Sequence, residues 1–124
     1  DITGLLSRKL VWKYQTAGML DKAPRVTGEV VYQYVRVKGI TAINKESGKF
    51  MWLVPGGVEL LAEAKDKAYV ITKDRTLVVM DNVKTAKLYS VNFAGVSRYA
   101  ANTADSKIYI ADERGRIACI QPVE

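Results

Sequence analysis

Apolar residues along the chain occur in short runs of about four or five, rich in Val, Ile and Tyr and separated by Gly, Asp, Asn and Lys. Runs of this length and composition predict β-strands, whereas a helix would place apolar residues at i, i+3, i+4 and i+7. The pattern therefore predicts an all-β chain. The expected strands are, in order, 25–27, 29–37, 40–44, 49–53, 58–64, 68–72, 77–81, 87–92, 97–102, 107–111 and 116–120.

Residues of the same type return at fixed intervals, which indicates an internal repeat. Three sets of positions share steps of 37 and then 40 residues: Tyr32, Tyr69 and Tyr109; Ile40, Leu77 and Ile117; Ile43, Met80 and Ile120. Because independent markers share one pair of steps, the repeat is treated as real. A period near 40 with short strands is typical of the four-stranded blade of a β-propeller.

The repeat divides the chain into units of unequal completeness within a single predicted domain, 1–124. Two units are complete, with blades at 23–53 and 57–92, and an incomplete blade of three strands follows at 96–121. The segment 8–15 matches the last strand of a unit and is predicted to be an orphan outer strand. No linker rich in Pro or Ser and no block of charge divides the chain.

The most distinctive stretch runs from Ala42 to Trp52 and predicts a β-hairpin. Gly48 supplies a residue that tolerates positive φ in the turn, and Asn44 can bond the turn backbone. Ala42 is small enough for a neighbouring side chain to approach the sheet. Trp52 is a large anchor that can reach the next sheet while its N–H bonds a backbone carbonyl. Lys49 completes the set of fixed positions.

This spacing resembles the tryptophan-docking motif of the PQQ-like (quinoprotein-type) β-propeller repeat, in which Ala, Asp or Asn, Thr or Ser, Gly, Lys and Trp recur in this order. Trp12 precedes Trp52 by 40 residues and is interpreted as a docking residue of the same kind. The second unit departs from the motif: Val79 replaces the Ala, Ala86 the Gly, and Ser90 or Tyr89 the Trp. We therefore expect weaker contact between the second unit and the third.

Three blades' worth of strands is fewer than the four to eight blades that typically close a propeller. The chain is therefore expected either to belong to a larger ring or to close by self-association with other copies. In propellers of this family a strand from one terminus often completes the blade at the other. On that basis the segment 8–15 could fill the position after Ile120.

Net charge is +6, and the basic residues concentrate in one set of turns. The turns between second and third strands are expected on one face of the disc, where they form a basic rim. Its residues are Arg36, Lys38, Lys73, Arg75, Arg114 and Arg116. The rim indicates an acidic protein partner or another polyanion, although solvated turn residues that keep sheet edges apart would give the same pattern. The turns at the opposite edge are closer to neutral.

Several kinds of chemistry lack the residues that they require. The chain has no His, which removes Ser-His and Cys-His nucleophilic systems and most zinc sites. No glycine-rich phosphate loop occurs. The repeated tyrosines are expected to pack between blades, so nucleic acid is an unfavoured partner. The single cysteine, Cys119, is predicted to be a small buried residue of a strand covered on both sides.

Two functional hypotheses remain from different classes. The first is a non-enzymatic propeller scaffold for protein–protein interaction, and the resemblance implies relatives in bacterial envelope assembly and a periplasmic or extracellular location. The alternative is a fragment of a PQQ-dependent quinoprotein dehydrogenase. That alternative would need the quinone and a calcium ion, but the vicinal cysteine pair of many such dehydrogenases is absent, and no cofactor is expected. The longest apolar runs are too short to span a membrane.

Overall fold

A computed structural model describes residues 9–96, 98–100 and 105–121 of the chain. Within these ranges the chain forms β-strands and no helix, which confirms the predicted all-β class. The strands are β1 (Arg25–Val26), β2 (Val30–Val35), β3 (Gly39–Asn44), β4 (Phe50–Pro55), β5 (Gly57–Ala64), β6 (Lys67–Thr72), β7 (Thr76–Asp81), β8 (Ala86–Asn92), β9 (Arg98–Ala100), β10 (Ile108–Ala111) and β11 (Ile117–Ile120).

The strands form three separate antiparallel sheets in chain order. Sheet A contains β1, β2, β3 and β4, and sheet B contains β5, β6, β7 and β8, each with sequential neighbours paired. Sheet C contains β9, β10 and β11 in the described residues. Each connection within a sheet is therefore a hairpin, as short antiparallel strands allow.

Strand ends differ from the expected ones where the turn geometry decides them. The second strand was expected to run to Val37 but β2 ends at Val35, because Val37 adopts a φ of 72° in the turn that follows. A β-branched residue rarely adopts this left-handed conformation, so a turn at Val37 is not predictable from residue type. The predicted strand 97–102 is described only at 98–100, and its remaining residues lie outside the described ranges.

Two apolar clusters join the sheets into a stack. The first lies between sheets A and B and includes Val30, Ile40 and Val54 from sheet A and Leu60, Val70 and Met80 from sheet B. The second lies on the other face of sheet B, where Leu61, Ile71 and Val79 pack with Ile108 of sheet C. Fully burying an aliphatic side chain of this kind contributes about 1.5–3 kcal/mol. Strands β5, β6 and β7 of sheet B are therefore covered on both faces, whereas β8 is exposed.

The segment before β1 lies against sheet A but forms no strand. The Met19 carbonyl accepts a hydrogen bond from the backbone N–H of Arg36 (3.0 Å). The Lys22 carbonyl accepts one from the side-chain amide of Gln33 (2.9 Å). The predicted strand 8–15 is wrong for residues 9–15, which belong to no sheet, while residue 8 lies outside the described ranges. A strand requires a partner for its backbone, and among the described residues this segment has none along its length. Neither does it pair with β11 of its own chain.

The contact between sheets B and C is less covered than the contact between A and B. Tyr89 lies opposite Val79 in the β7–β8 register, just as Trp52 lies opposite Ala42 in β3–β4. Tyr89 therefore occupies the position of the tryptophan in the second unit. It remains 48% exposed whereas Trp52 is 3% exposed, as expected for a weaker contact.

Cys119 is exposed, so its predicted burial is wrong. The prediction assumed a strand covered on both sides. In the structure Cys119 lies opposite Tyr109 on β10, and β11 is an edge strand of sheet C. No described residue pairs with its outer side.

Candidate functional site

The turn between β3 and β4 is built by the two residues that the motif singles out for it. The Asn44 side-chain oxygen accepts hydrogen bonds from the backbone N–H groups of Glu46 (3.0 Å) and Ser47 (2.9 Å). Gly48 has a φ of 73°, and its N–H donates to the Asn44 carbonyl (2.8 Å). Asn44 and Gly48 thus fix the turn against which an aromatic ring is placed.

Trp12 docks on this turn. A Cβ added to Gly48 would lie 2.6 Å from carbons of the Trp12 indole, so the ring lies directly against the glycine. The indole N–H donates to the Lys45 carbonyl (2.7 Å). Any residue larger than glycine would displace the ring.

Trp52 docks in the same manner one sheet later. It is buried, it lies opposite the fully buried Ala42, and its ring centroid is 5.8 Å from that of Tyr32. Its indole N–H donates to the side-chain oxygen of Asn82, in the turn between β7 and β8 (2.7 Å). The expected acceptor was a backbone carbonyl, which is what Trp12 uses; Trp52 uses a side-chain amide instead.

Asn82 belongs to a polar network across the contact between sheets A and B that the sequence did not reveal. Its amide donates to the Tyr32 hydroxyl (2.8 Å), and that hydroxyl donates to the Glu63 carboxylate on β5. Thr27 donates to the same carboxylate (3.0 Å). Each buried polar atom named here has a partner, as buried polar groups require. These residues are 31 to 50 positions apart along the chain, so no local pattern could predict their meeting.

This network makes stability sensitive to alkaline pH. Burial raises the pKa of the Tyr32 phenol well above its usual range, and the hydrogen bond to Glu63 adds to the shift. The unfolded chain would lose this proton near pH ~10. Because the folded pKa is the higher one, the stabilisation is complete below that pH and decreases as pH rises through it.

We expect Tyr32→Phe to lower the free energy of unfolding by about 1–3 kcal/mol at neutral pH, since Asn82 and Glu63 each lose a partner. We also expect the variant to lose part of the alkaline decline between about pH 9 and 11. Urea titrations across that range measure both effects. Tyr89→Phe, at a half-exposed ring on β8, is the control. An unchanged alkaline decline in Tyr32→Phe would contradict the assignment.

The six predicted rim residues are all exposed and lie in three turns, one in each sheet. Arg36 and Lys38 follow β2, Lys73 and Arg75 follow β6, and Arg114 and Arg116 precede β11.

Backbone hydrogen bonds through Gly56 hold the turns of sheets A and B beside one another. The Gly56 N–H donates to the Lys38 carbonyl (3.0 Å), and the Lys73 N–H donates to the Gly56 carbonyl (2.9 Å). Within sheet B, the Phe93 N–H after β8 donates to the Arg75 carbonyl (2.8 Å), and the Arg75 guanidinium donates to the carbonyl of Val96 in the segment before β9 (2.7 Å). The turn of sheet C lies beside that of sheet B, since Arg75, Arg114 and Arg116 line the same surface depression. The three turns together are here called the basic edge.

Two of the carboxylates on the basic edge, Asp74 and Asp112, are hydrogen-bonded within their own turns, whereas Glu113 is exposed. Asp74 accepts from the Thr72 hydroxyl, which lowers the pKa of Asp74. Asp112 accepts from the backbone N–H of Arg114 (2.9 Å) and from both the N–H and the side chain of Arg116; these bonds lower its pKa. Both groups therefore stay ionised with their oxygens engaged locally.

Most of the cations on this edge are not paired in this way. Arg116 forms an ion pair with Asp112 (2.6 Å), but no ion pair joins Arg36, Lys38, Lys73 or Arg114 to another described residue. A surface depression of about 410 Å³ on this edge is lined by Arg75, Arg114 and Arg116 and by the two carboxylates Asp112 and Glu113. The edge therefore presents unneutralised positive charge beside a concave surface.

The opposite edge differs in charge. A depression there is lined by three carboxylates, Glu29, Glu63 and Asp66, and by one cation, Lys65, so its charge balance is acidic. The predicted neutral turn at 104–106 lies partly outside the described ranges.

Neither a family match nor a metal-binding cluster adds to this geometry. No protein-family model matches the chain, and no curated protein matches it either. Among residues 9–96, 98–100 and 105–121, no group of three or more His, Cys, Asp or Glu side chains is placed to hold a metal ion. Those residues also include no helix long and apolar enough to cross a membrane.

Proposed function

We propose that the protein is a non-enzymatic scaffold whose sheets are blades of a PQQ-like β-propeller and whose basic edge binds an acidic protein. The propeller assignment rests on the motif and on the way Trp12 and Trp52 each dock on the turn of the following sheet. The motif is also the ground for proposing a periplasmic or extracellular location.

One observation supports binding at the basic edge: two of its three carboxylates, Asp74 and Asp112, are engaged in their own turns, while four cations lack ion pairs within the described chain. Complementary charge between two surfaces increases the rate and the specificity of association more than it increases affinity. The partner that fits is an acidic protein segment that follows the border from sheet A to sheet C.

Charge reversal on this edge tests the proposal. We expect Lys73→Glu combined with Arg114→Glu to weaken binding of a fluorescein-labelled peptide of acidic residues on the order of tenfold, because two favourable contacts become repulsive. Fluorescence anisotropy measures the affinity, and a salt titration should show a smaller salt dependence in the variant.

The matched control is Lys45→Glu combined with Lys84→Glu, which makes the same change in net charge at the opposite edge. We expect this control to bind nearly as well as the unmodified protein. Equal losses in both double variants would mean that only net charge matters, and the proposed edge would be wrong.

A further inference from the structure

β4 illustrates how a complete fourth strand is used in this stack. Its backbone pairs with β3 in sheet A, while its Trp52 side chain bonds Asn82 in the β7–β8 turn of sheet B. The strand thus completes one sheet and anchors that sheet to the next.

The segment Lys9–Tyr14 makes the side-chain contact with the next sheet but not the backbone pairing. Trp12 bonds Lys45, which is the first residue after β3, as Asn82 is the first residue after β7. Its sequence resembles that of the fourth strands, since Lys9-Leu10 corresponds to Lys49-Phe50 in chain position relative to the tryptophan. Yet its backbone pairs with no strand in the described chain, and Leu10 and Val11 are exposed.

Sheet C, in the described residues, lacks the fourth strand that sheets A and B have. By the repeat, β11 corresponds to β3, with Cys119 in the position of Ala42 and Ile117 in that of Ile40. β3 is paired on both sides, whereas β11 is paired only with β10. Ile117 is 82% exposed, whereas Ile40 at the equivalent position of sheet A is 4% exposed. The outer face of sheet C is therefore uncovered at this position.

We propose that Lys9–Tyr14 of a second copy of this chain pairs antiparallel with β11 as the fourth strand of sheet C. In this register Trp12 lies opposite Cys119, as Trp52 lies opposite Ala42, and Lys13 lies opposite Ala118. Trp12 keeps its hydrogen bond to Lys45 of its own chain, because a fourth strand makes both contacts at once. Sheet A of the second copy then covers Ile117.

The exchange is reciprocal, so two copies close on each other. The described residues of two copies together hold six sheets, a number within the size range of propellers. A closed cyclic arrangement leaves neither the β11 edge nor the outer face of sheet C open to further association. This inference rests on the propeller part of the proposed function and is independent of whether the basic edge binds an acidic partner.

The first measurement is the mass of the protein in solution by light scattering coupled to size exclusion. We expect twice the mass of a single chain. Ile117→Lys should leave the circular dichroism spectrum unchanged, since this side chain is exposed in one copy, and should weaken dimerisation tenfold or more. A single-chain mass at concentrations of tens of micromolar would overturn the proposal, as would a dimer that Ile117→Lys leaves equally strong.

A designed disulfide tests the register. In a Cys119→Ser background, Lys13→Cys combined with Ala118→Cys should give a dimer on a denaturing gel after mild oxidation, and reductant should reverse it. The matched control pairs Lys13→Cys with Lys87→Cys, on the exposed edge strand of sheet B. Equal cross-linking in both pairs, or none in the first, would overturn the proposed strand pairing. Neither result would bear on peptide binding at the basic edge.

Discussion

Trp52→Ala is expected to lower the free energy of unfolding by about 3–5 kcal/mol, the usual range for truncating a buried large aromatic. The indole lies at the centre of the contact between sheets A and B, against Tyr32 and opposite Ala42. The substitution removes the ring and also leaves the Asn82 amide oxygen without its donor. Urea-induced unfolding followed by circular dichroism measures the loss.

Two further variants separate packing from hydrogen bonding. Trp52→Phe keeps an aromatic ring but no N–H, so it should recover part of the stability. Trp12→Ala should cost less than Trp52→Ala because Trp12 is only partly buried. If Trp52 fluorescence is readily quenched by a water-soluble quencher, or if Trp12→Ala proves the more costly change, the contact between sheets A and B does not depend on Trp52 as described.

The sequence predicted well those features that arise from neighbouring residues. Runs of Val, Ile and Tyr became strands, and the Asn44 and Gly48 positions built the turn that receives Trp12. The repeat also identified which turns share an edge, because hairpin strands alternate direction and equivalent turns return to the same side. Periodicity was therefore enough to predict the basic edge from sequence.

Features that depend on residues distant in sequence were not predictable in this way. Glu63 meets Tyr32 only because sheet B stacks on sheet A, and nothing near either residue indicates the pair. Likewise, Lys9–Tyr14 has the composition of a strand, but strand formation depends on pairing with a partner edge, and this segment pairs with none in the described residues of its own chain. The burial of Cys119 was mispredicted for the same reason: local sequence describes a strand and not what covers it.

The contact between sheets is less buried where two motif positions are substituted. With Trp52 and Ala42 the contact between sheets A and B is buried, whereas Tyr89 and Val79 leave Tyr89 half exposed beside sheet C. Local opening should therefore begin at sheet C, since partial unfolding starts where few apolar contacts are buried. A second copy paired with β11 would stabilise the part of the stack that is weakest in a single chain.

Gly39→Ala is expected to be the other severely destabilising substitution, with a loss of at least about 3 kcal/mol from backbone strain and overpacking together. Gly39 begins β3 with a φ of 138°, which L-residues rarely adopt. A Cβ there would lie 2.0 Å from the Val54 carbonyl oxygen on β4 and 3.0 Å from the Gly56 nitrogen. Both neighbours are backbone atoms, so no side-chain rotation can relieve the clash. The strands β3 and β4 would have to separate.

Gly115→Ala and Gly28→Ala separate the cost of the backbone conformation from the cost of the clash. Gly115 has a φ of 81° but open space around its Cβ position, so Gly115→Ala should show the cost of conformation alone, about 1 kcal/mol. Gly28 has open space and no positive φ, so Gly28→Ala should be nearly neutral. Chemical denaturation of the three variants gives the order Gly39, Gly115, Gly28. If Gly39→Ala is no more costly than Gly115→Ala, then β3 and β4 are not as close at this end as the structure places them.

Because Gly56 also bonds the Lys38 carbonyl, Gly39→Ala should in addition loosen the basic edge and weaken acidic-peptide binding, an effect that Gly28→Ala should not produce.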